Sequence, residues 1–479
     1  MRLKALTATA AVVVLGAATW FATAGGPAAE LIGKARGERG IEAQREAGGE
    51  REANDPDAFE RSGATQVIAP RAMRAPLAPL PSGFDSERVW GTGDDWEPMV
   101  AADPTTAANV YQMTTRYTAK ACGTRKHCIM FRSSADGGTT WSADIQMCAA
   151  CKSISAQNDP EMKVASDGTI YATWMNDWSV VFSKSADKGK TWSAPVDLKK
   201  LVGKSFTDKP IIAISPTGQD VYVAFNSSDS YVAYSHDKGA TWKMSPKINS
   251  DTLYYFAEGG AVAPNGTVYF AESAEAQAET GPINLTVQSS SNGGVSWMNT
   301  VVDVSQQQPP CTLSGCGGDF YGAQINLAID KAGTILVTYA KSTVSGGPMT
   351  LYSRTSTNGT TWSAPVALPT GATTVGADFP VVTAGPTAGD FRVAWMDDRN
   401  GATAWNTWFS KTTNTGGTWS TPVRLSDLGS GAAYKTANGF TFPYGDYMGM
   451  STNSAGTNFI VWPEGASYAG PGGTWFTKG

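Results

Sequence analysis

One short turn pattern recurs six times along this 479-residue chain. It has the form Ser/Thr-x-Asp/Asn-x-Gly-x-Thr/Ser-Trp, with Thr357 in the Asp position of the fifth copy. The copies end at Trp141, Trp192, Trp242, Trp297, Trp362 and Trp419. The interval between successive tryptophans averages about 56 residues, and a pattern that returns at a near-constant interval indicates that one structural unit has been copied. The chain therefore folds as a repeat protein.

Each unit predicts four short strands. In the second unit, β-rich segments at 159–165, 169–174 and 179–183 are separated by turn residues, and a fourth begins at Trp192. These β-rich segments are bounded by turn residues and show no helical periodicity. In the turn itself, the Asp or Asn and the Ser or Thr side chains can bind backbone N–H groups, while Gly supplies a positive φ. The unit is predicted to be a four-stranded antiparallel meander.

The first strands of the units number seven, one more than the turns. The last unit opens near 443–450 and stops at Gly479 before a turn or a fourth strand. A radial array of sheets must protect its edges, and the other end of the chain can supply a missing outer strand. We therefore predict an all-β, seven-bladed β-propeller of four-stranded antiparallel blades, closed by residues 86–90.

The turn is identified as an Asp-box, and the chain resembles the sialidase-like Asp-box (BNR repeat) β-propeller superfamily over roughly its last four-fifths. The resemblance is specific for fold and a poor guide to activity, because the box is a folding device. Sialidases have six blades, which is the alternative to seven here. They use three arginines to grip the substrate carboxylate, an Asp as acid/base, and a Tyr nucleophile activated by a Glu. The chain lacks the Arg-Ile-Pro or Arg-Leu-Pro that this family places in its first blade.

The first residues resemble an export signal. A basic start, an apolar run from Ala5 to about Phe21 and a small-residue site predict a signal peptide over 1–24. Residues 25–85, rich in Glu, Arg, Gly, Ala and Pro, predict a disordered linker or pro-segment, and 86–479 the propeller. The net charge of −5 and pI near 5.3 argue against nucleic acid as a partner. We expect a secreted monomer without a membrane span.

Cysteine and histidine restrict the chemistry. The six cysteines lie in three close pairs, which in an exported protein indicate disulfides, although pairing of Cys128 with Cys148 is also open. Only His127 and His236 occur, and both are predicted to lie on the surface. This argues against a Ser-His-Asp hydrolase and a His-rich zinc site.

Carboxylates recur where each innermost strand begins, and these starts converge on one mouth of the channel. They are Glu97, Asp159, Asp208, Glu258, Asp378 and Asp446. Three interpretations compete: each carboxylate ties down its strand by binding backbone amides, a pair of them forms a glycosidase site, or the mouth binds a glycan or protein, with or without Ca²⁺. Apart from that ion, no cofactor is expected.

The resemblance to sialidases implies roles for particular residues. Tyr447 would be the nucleophile with Glu258 as its base, Asp159 or Asp208 the acid/base, and Arg116 and Arg399 the substrate clamps. Three further carboxylates would contact the substrate, namely Glu97, Asp378 and Asp446. The function implied is an exo-sialidase-type glycoside hydrolase acting on extracellular glycans or glycoproteins. The alternative is a non-catalytic propeller that binds a glycan or a protein.

Overall fold

The computed structural model describes residues 83–91, 95–117, 119–151, 153–276, 281–307, 322–370, 376–400, 405–426, 435–436, 439–440, 448–465 and 472–479. Over these residues the chain forms seven four-stranded antiparallel sheets. The inner strand of each sheet contacts the inner strand of the next, and the last sheet contacts the first, so the sheets form a closed ring. The predicted seven-bladed β-propeller is confirmed.

The strands follow the chain from the inner to the outer edge of each blade. Blade 1 has β2 (Asp95–Ala102), β3 (Val110–Arg116), β4 (Cys128–Ser134) and β5 (Ile145–Gln146); blade 2 has β6 (Gln157–Val164), β7 (Ile170–Asn176), β8 (Ser179–Ser185) and β9 (Val196–Asp197); blade 3 has β10 (Asp208–Ile214), β11 (Val221–Ser227), β12 (Asp229–Ser235) and β13 (Lys243–Met244). Blade 4 has β14 (Tyr254–Val262), β15 (Val268–Glu275), β16 (Ile283–Ser290) and β17 (Met298–Ser305); blade 5 has β18 (Ile325–Ile329), β19 (Ile335–Lys341), β20 (Thr350–Ser356) and β21 (Val366–Ala367); blade 6 has β22 (Ala377–Ala384), β23 (Phe391–Asp397), β24 (Asn406–Thr412) and β25 (Val423–Arg424). Blade 7 has β28 (Gly449–Thr452), β29 (Asn458–Gly465) and β30 (Gly472–Lys478). A small hairpin of β26 (Lys435–Thr436) and β27 (Gly439–Phe440) precedes blade 7, and two short helices are α1 (Ala119–Cys122) and α2 (Lys199–Val202).

The N-terminal strand closes the ring. Strand β1 (Arg88–Val89) pairs antiparallel with β30, with Arg88 opposite Phe476 and Val89 opposite Trp475. The following residue, Trp90, is buried and its backbone N–H donates to the carbonyl of Thr474 at 2.7 Å. The prediction that residues 86–90 complete the last blade is confirmed, because without β1 the edge of β30 would be unpaired.

The recurring turns share one hydrogen-bond pattern. In the first, the Asp136 Oδ1 atom accepts the backbone N–H groups of Thr139 and Thr140 at 2.9 and 2.8 Å, and the Ser134 hydroxyl accepts the N–H of Gly138. The same bonds recur around Asp187, where the hydroxyl and N–H of the following Thr lower the pKa of the carboxyl to about 2. The Asp side chain therefore replaces the partners that the turn's backbone lacks.

The fifth turn differs from its sequence interpretation. Its acceptor is Asn358, whose Oδ1 binds the N–H groups of Thr360 and Thr361 at 2.9 Å, while Ser356 accepts the N–H of Gly359. Assigning Thr357 to the Asp position was wrong. This turn is one residue shorter between acceptor and Gly, so counting back from Trp362 gave the wrong residue.

Two of the predicted disulfides are confirmed, and one of the two histidine predictions was wrong. The disulfides Cys122–Cys128 and Cys148–Cys151 form within the close pairs, and the third pair lies outside the described residues. His236 is exposed as predicted and contacts Asp220. The prediction for His127 was wrong: the ring is buried, stacks on Tyr117 at 4.5 Å, and burial lowers its pKa to about 4. The sequence does not show that a His next to a disulfide in a loop is buried, because only the folded chain places the ring of Tyr117 against it.

Candidate functional site in the central channel

The inner strands of blades 1, 2, 3 and 6 share a bulge at the channel mouth. In each, the register with the second strand shifts across a residue followed by Pro, and that residue has a φ near +50°. These residues are Glu97, Asp159, Lys209 and Phe379. A non-glycine residue with positive φ is costly and persists only where its surroundings hold it. The bulge therefore redirects these side chains relative to the regular alternation of a strand.

The predicted ring of carboxylates thus combines two different positions. Glu97 and Asp159 occupy the bulge immediately before Pro, whereas Asp208 and Asp378 lie one residue earlier. In blade 4, Glu258 lies at a register shift of its own between Ala257 and Gly259. The sequence placed these residues at one mouth, but the backbone turns them in different directions.

The bulge residues link neighbouring blades. The Glu97 Oε2 atom accepts the backbone N–H of Asp159 at 3.0 Å and the hydroxyl of Thr115 at 2.7 Å. Asp159 in turn lies 3.5 Å, Oδ1 to Nζ, from Lys209 of the third blade. Side-chain contacts therefore connect the bulge residues of three successive blades around the channel mouth.

Two further carboxylates bind backbone amides of the adjacent blade. Glu258 accepts the N–H of Ile325 and, at 2.7 Å, the hydroxyl of Ser273. Asp378 accepts the N–H of Gly322 at 3.0 Å. Asp208 accepts the N–H of its own neighbour Lys209 at 2.7 Å. These contacts agree with the interpretation in which each carboxylate fixes the start of an inner strand.

The two predicted clamp arginines are paired within their own blades. Arg116 donates to both oxygens of Asp95, at 2.6 and 2.8 Å, and to Asp144 at 2.6 Å. Although burial opposes its charged form, these carboxylates raise the pKa of Arg116. Arg399 donates to Asp397 and stacks 3.8 Å from the ring centre of Trp408. Neither Arg116 nor Arg399 is among the described residues that line the central cavity.

A cavity of about 450 Å³ occupies the centre of the ring. Its charged lining comprises Asp159, Glu161, Lys163, Lys209, Glu258 and Glu275. The aromatic side chain of Phe256 and aliphatic groups near the ends of the inner strands, such as Ile214 and Val262, contribute apolar surface. The lining therefore mixes charged and apolar side chains, a combination typical of small-molecule sites.

Four charged residues of this cavity were missed from the sequence, namely Glu161, Lys163, Lys209 and Glu275. Glu161 and Lys163 follow the bulge on β6 at alternate positions, so both face the channel, and their charged atoms lie 3.9 Å apart. Burial raises the pKa of Glu161 despite the nearby ammonium. The alternation of side chains along an inner strand would have identified Glu161 and Lys163, had the bulge at Asp159 been recognised as resetting that alternation.

Two predicted site residues, Tyr447 and Asp446, lie outside the described part of the chain. The pairing of Tyr447 with Glu258 therefore stays a prediction. Within the described ranges, no group of three or more His, Cys, Asp or Glu side chains is arranged to hold a metal ion. No helix in the same ranges is long and apolar enough to cross a membrane.

The fold and the cavity define the class: a seven-bladed β-propeller with a ligand-sized space on its axis. The sequence matches no protein-family model and no curated protein sequence. Among solved structures, similar folds include the Hadza microbial sialidase Hz136 (14% identity, TM-score 0.45, 80% of this chain and 65% of that one). Others are a Trypanosoma rangeli sialidase with 2,3-difluorosialic acid (12%, 0.43, 80% and 53%) and a family PL25 ulvan lyase (12%, 0.47, 81% and 94%). The chain thus spans less than two thirds of either sialidase, and likenesses this distant carry no argument about activity.

Proposed function

We propose that this is an extracellular glycan-binding propeller whose ligand enters the central cavity. The observation that carries the proposal is the mixed lining of that cavity. Glu161, Lys163 and Lys209 supply hydrogen-bond acceptors and donors, while the partly exposed Phe256 supplies apolar ring surface. A sugar ring has hydroxyl groups at its edge and C–H groups on its faces, so it matches such a lining better than a wholly apolar or a wholly charged molecule does.

Export is part of the same proposal. The N-terminal signal pattern predicts it, and the disulfides Cys122–Cys128 and Cys148–Cys151 support it, because disulfides persist in oxidising surroundings. A glycan outside the cell is then the accessible partner.

Glycoside hydrolysis is the second candidate, and one specific observation favours it. Glu161 is buried in the cavity, and burial raises the pKa of its carboxyl. A carboxyl whose pKa is raised by burial is what a glycosidase uses to protonate the leaving oxygen. In this scheme Tyr447 would attack, with Glu258 as its base. Because Arg116 and Arg399 are held in ion pairs, Lys163 and Lys209 would contact the substrate in their place.

Binding and hydrolysis are separated by one set of measurements. The mature protein is tested against an array of extracellular glycans and against fluorogenic aryl glycosides that include an α-sialoside. Glycan binding that weakens at least tenfold in Lys209→Met, without turnover of any glycoside, is the expected result for a binding propeller. Turnover abolished in both Glu161→Gln and Tyr447→Phe would establish the hydrolase. Neither binding nor turnover across both panels would refute the proposal. Val89→Ala, an exposed change on the closing strand, serves as the control.

A further inference from the structure

A second cavity, of about 580 Å³, lies on blade 2 and shares no lining residue with the central one. Its walls include Trp178, Phe206, Asp197, Lys199, Ser205 and Ile154. The turn between β7 and β8 contributes Trp178. Because Asn176 at the end of β7 pairs with Gln157 at the start of β6, this turn lies on the same face as the channel mouth. The two cavities therefore open toward the same side of the ring.

One wall of this second cavity is held by a disulfide and by hydrogen bonds. The disulfide Cys148–Cys151 closes a small loop shortly before Ile154, and both Cys151 and Ile154 line the cavity. The Arg125 Nη2 atom donates to the carbonyl oxygens of both cysteines, at 2.8 and 2.7 Å. A short loop fixed by a disulfide and a buried guanidinium loses little further freedom when a ligand binds.

The aromatic wall is fixed equally well. Asp177 has a φ of +50°, and its Oδ1 atom accepts the N–H groups of Ser155 and Ala156, each at 3.0 Å. This locks the turn that presents Trp178, whose indole is half-buried and meets the ring of Phe206 edge-on at 6.4 Å. The consequence is a partly exposed indole in one wall of the cavity.

The polar wall offers an acceptor. The Asp197 Oδ1 atom is buried and makes no hydrogen bond within the part of the chain that the structure describes. Its other oxygen, Oδ2, lies 3.7 Å from the ammonium of Lys200, which is almost fully exposed. The Asp197 side chain as a whole is 27% exposed. Because Oδ1 is buried, Oδ2 is the oxygen that a ligand hydroxyl can reach.

We propose that this second cavity binds one pyranose unit of an uncharged stretch of glycan. The C–H face of the sugar stacks on Trp178, and a hydroxyl donates to the Oδ2 atom of Asp197. The charges of Asp177 and Asp197 are balanced by those of Lys199 and Lys200, so the site has no net charge to attract an ionic sugar. The inference rests on the proposed function, since the same chain would cross from the central cavity to blade 2. Two linked contacts would then strengthen binding of long glycans beyond either contact alone.

The test uses the mature protein labelled with 5-fluorotryptophan. ¹⁹F NMR spectra are recorded with neutral tetrasaccharides of glucose, galactose, mannose, xylose and N-acetylglucosamine, and with a sialylated and a glucosamine oligosaccharide. The resonance missing in Trp178→Phe identifies Trp178 in the spectrum. We expect a neutral tetrasaccharide to shift it, and Asp197→Ala to weaken that binding about tenfold, as loss of a charged hydrogen-bond acceptor predicts. Asp167→Ala, an exposed carboxylate in the β6–β7 turn, is the matched control.

Each result decides between the two sites. If a tetrasaccharide binds and Glu161→Gln or Lys209→Met weakens it while Asp197→Ala does not, the blade 2 site is refuted and the central site stands. If the Trp178 resonance shifts and central variants have no effect, the blade 2 site stands and the central one does not. A shift with only the sialylated or the glucosamine ligand overturns the assignment of an uncharged sugar. No shift of Trp178 with any ligand overturns the proposal.

Discussion

Replacing Trp90 by Ala should weaken the closure of the ring between the last blade and the first. Trp90 is buried where the last blade meets the first, and its Nε1–H donates to Asp144 at 2.9 Å. The guanidinium of Arg132 lies 4.2 Å from its ring centre. Loss of a buried Trp typically costs about 3–5 kcal/mol, and the lost cation–π contact adds about 1 kcal/mol. We therefore expect the free energy of unfolding to fall by about 5 kcal/mol.

The melting temperature converts this loss into an observable. With an unfolding entropy of about 2.1 cal/mol/K per residue over a propeller of roughly 390 residues, 5 kcal/mol lowers the Tm by about 6 °C. Urea unfolding gives the free energy, and calorimetry gives the Tm. Trp90→Phe keeps an aromatic ring at this position and should lose less than Trp90→Ala, with about 1 kcal/mol of the loss due to the hydrogen bond. Val89→Ala, exposed on the same strand, should change stability by less than about 0.5 kcal/mol. A Trp90→Ala loss below about 1 kcal/mol would refute the view that this contact holds the ring closed.

Three further predictions concern other parts of the ring. Burial raises the pKa of Glu272 to about 7. The protonated carboxyl therefore stabilises the fold fully below about pH 4.5, and the free energy of unfolding falls by about 3 kcal/mol as the pH rises to about 7. Glu272→Gln should flatten this pH profile, measured by urea titrations at each pH. In the fifth turn, Asn358→Ala should cost about 1 kcal/mol in chemical unfolding and Thr357→Ala almost nothing, and equal effects would contradict the assigned acceptor. Gly189→Ala should cost at least about 3 kcal/mol, because the new Cβ would meet an aromatic ring of blade 1. Gly203→Ala also has a positive φ but faces open space, so it should cost about 1 kcal/mol. Thermal melting measures both losses, and similar values would exclude the clash as the cause.

The sequence predicted the candidate site only in part. It placed carboxylates at the starts of the inner strands, because a repeated pattern shows which residues are equivalent. It did not distinguish Asp159, which lines the cavity, from Asp208, which binds a neighbouring amide. That distinction depends on a bulge of one residue, and a change of one residue reverses the direction of every side chain that follows in a strand.

The contacts of the two arginines could not be predicted from the sequence, for another reason. Arg116 and Arg399 lie in the loops where a sialidase clamp would be sought, but carboxylates next to them in space already bind them. Asp95 lies 21 residues before Arg116, and only the pairing of β2 with β3 brings the two side chains together. A sequence gives the type of each charged group without its partner.

The sequence alone determined the architecture, since the spacing of the turns, their Gly and Trp residues and the missing last strand follow from local hydrogen bonding and burial. These requirements act within one unit and are therefore visible in the linear order of residues. The tertiary structure decided which groups come together: Glu97 with the amide of Asp159, Trp90 with Arg132, and Trp178 with Asp197 in the lining of one cavity. These contacts cross blades or loops whose relative positions depend on how the whole ring closes, because packing fixes distances that sequence separation does not.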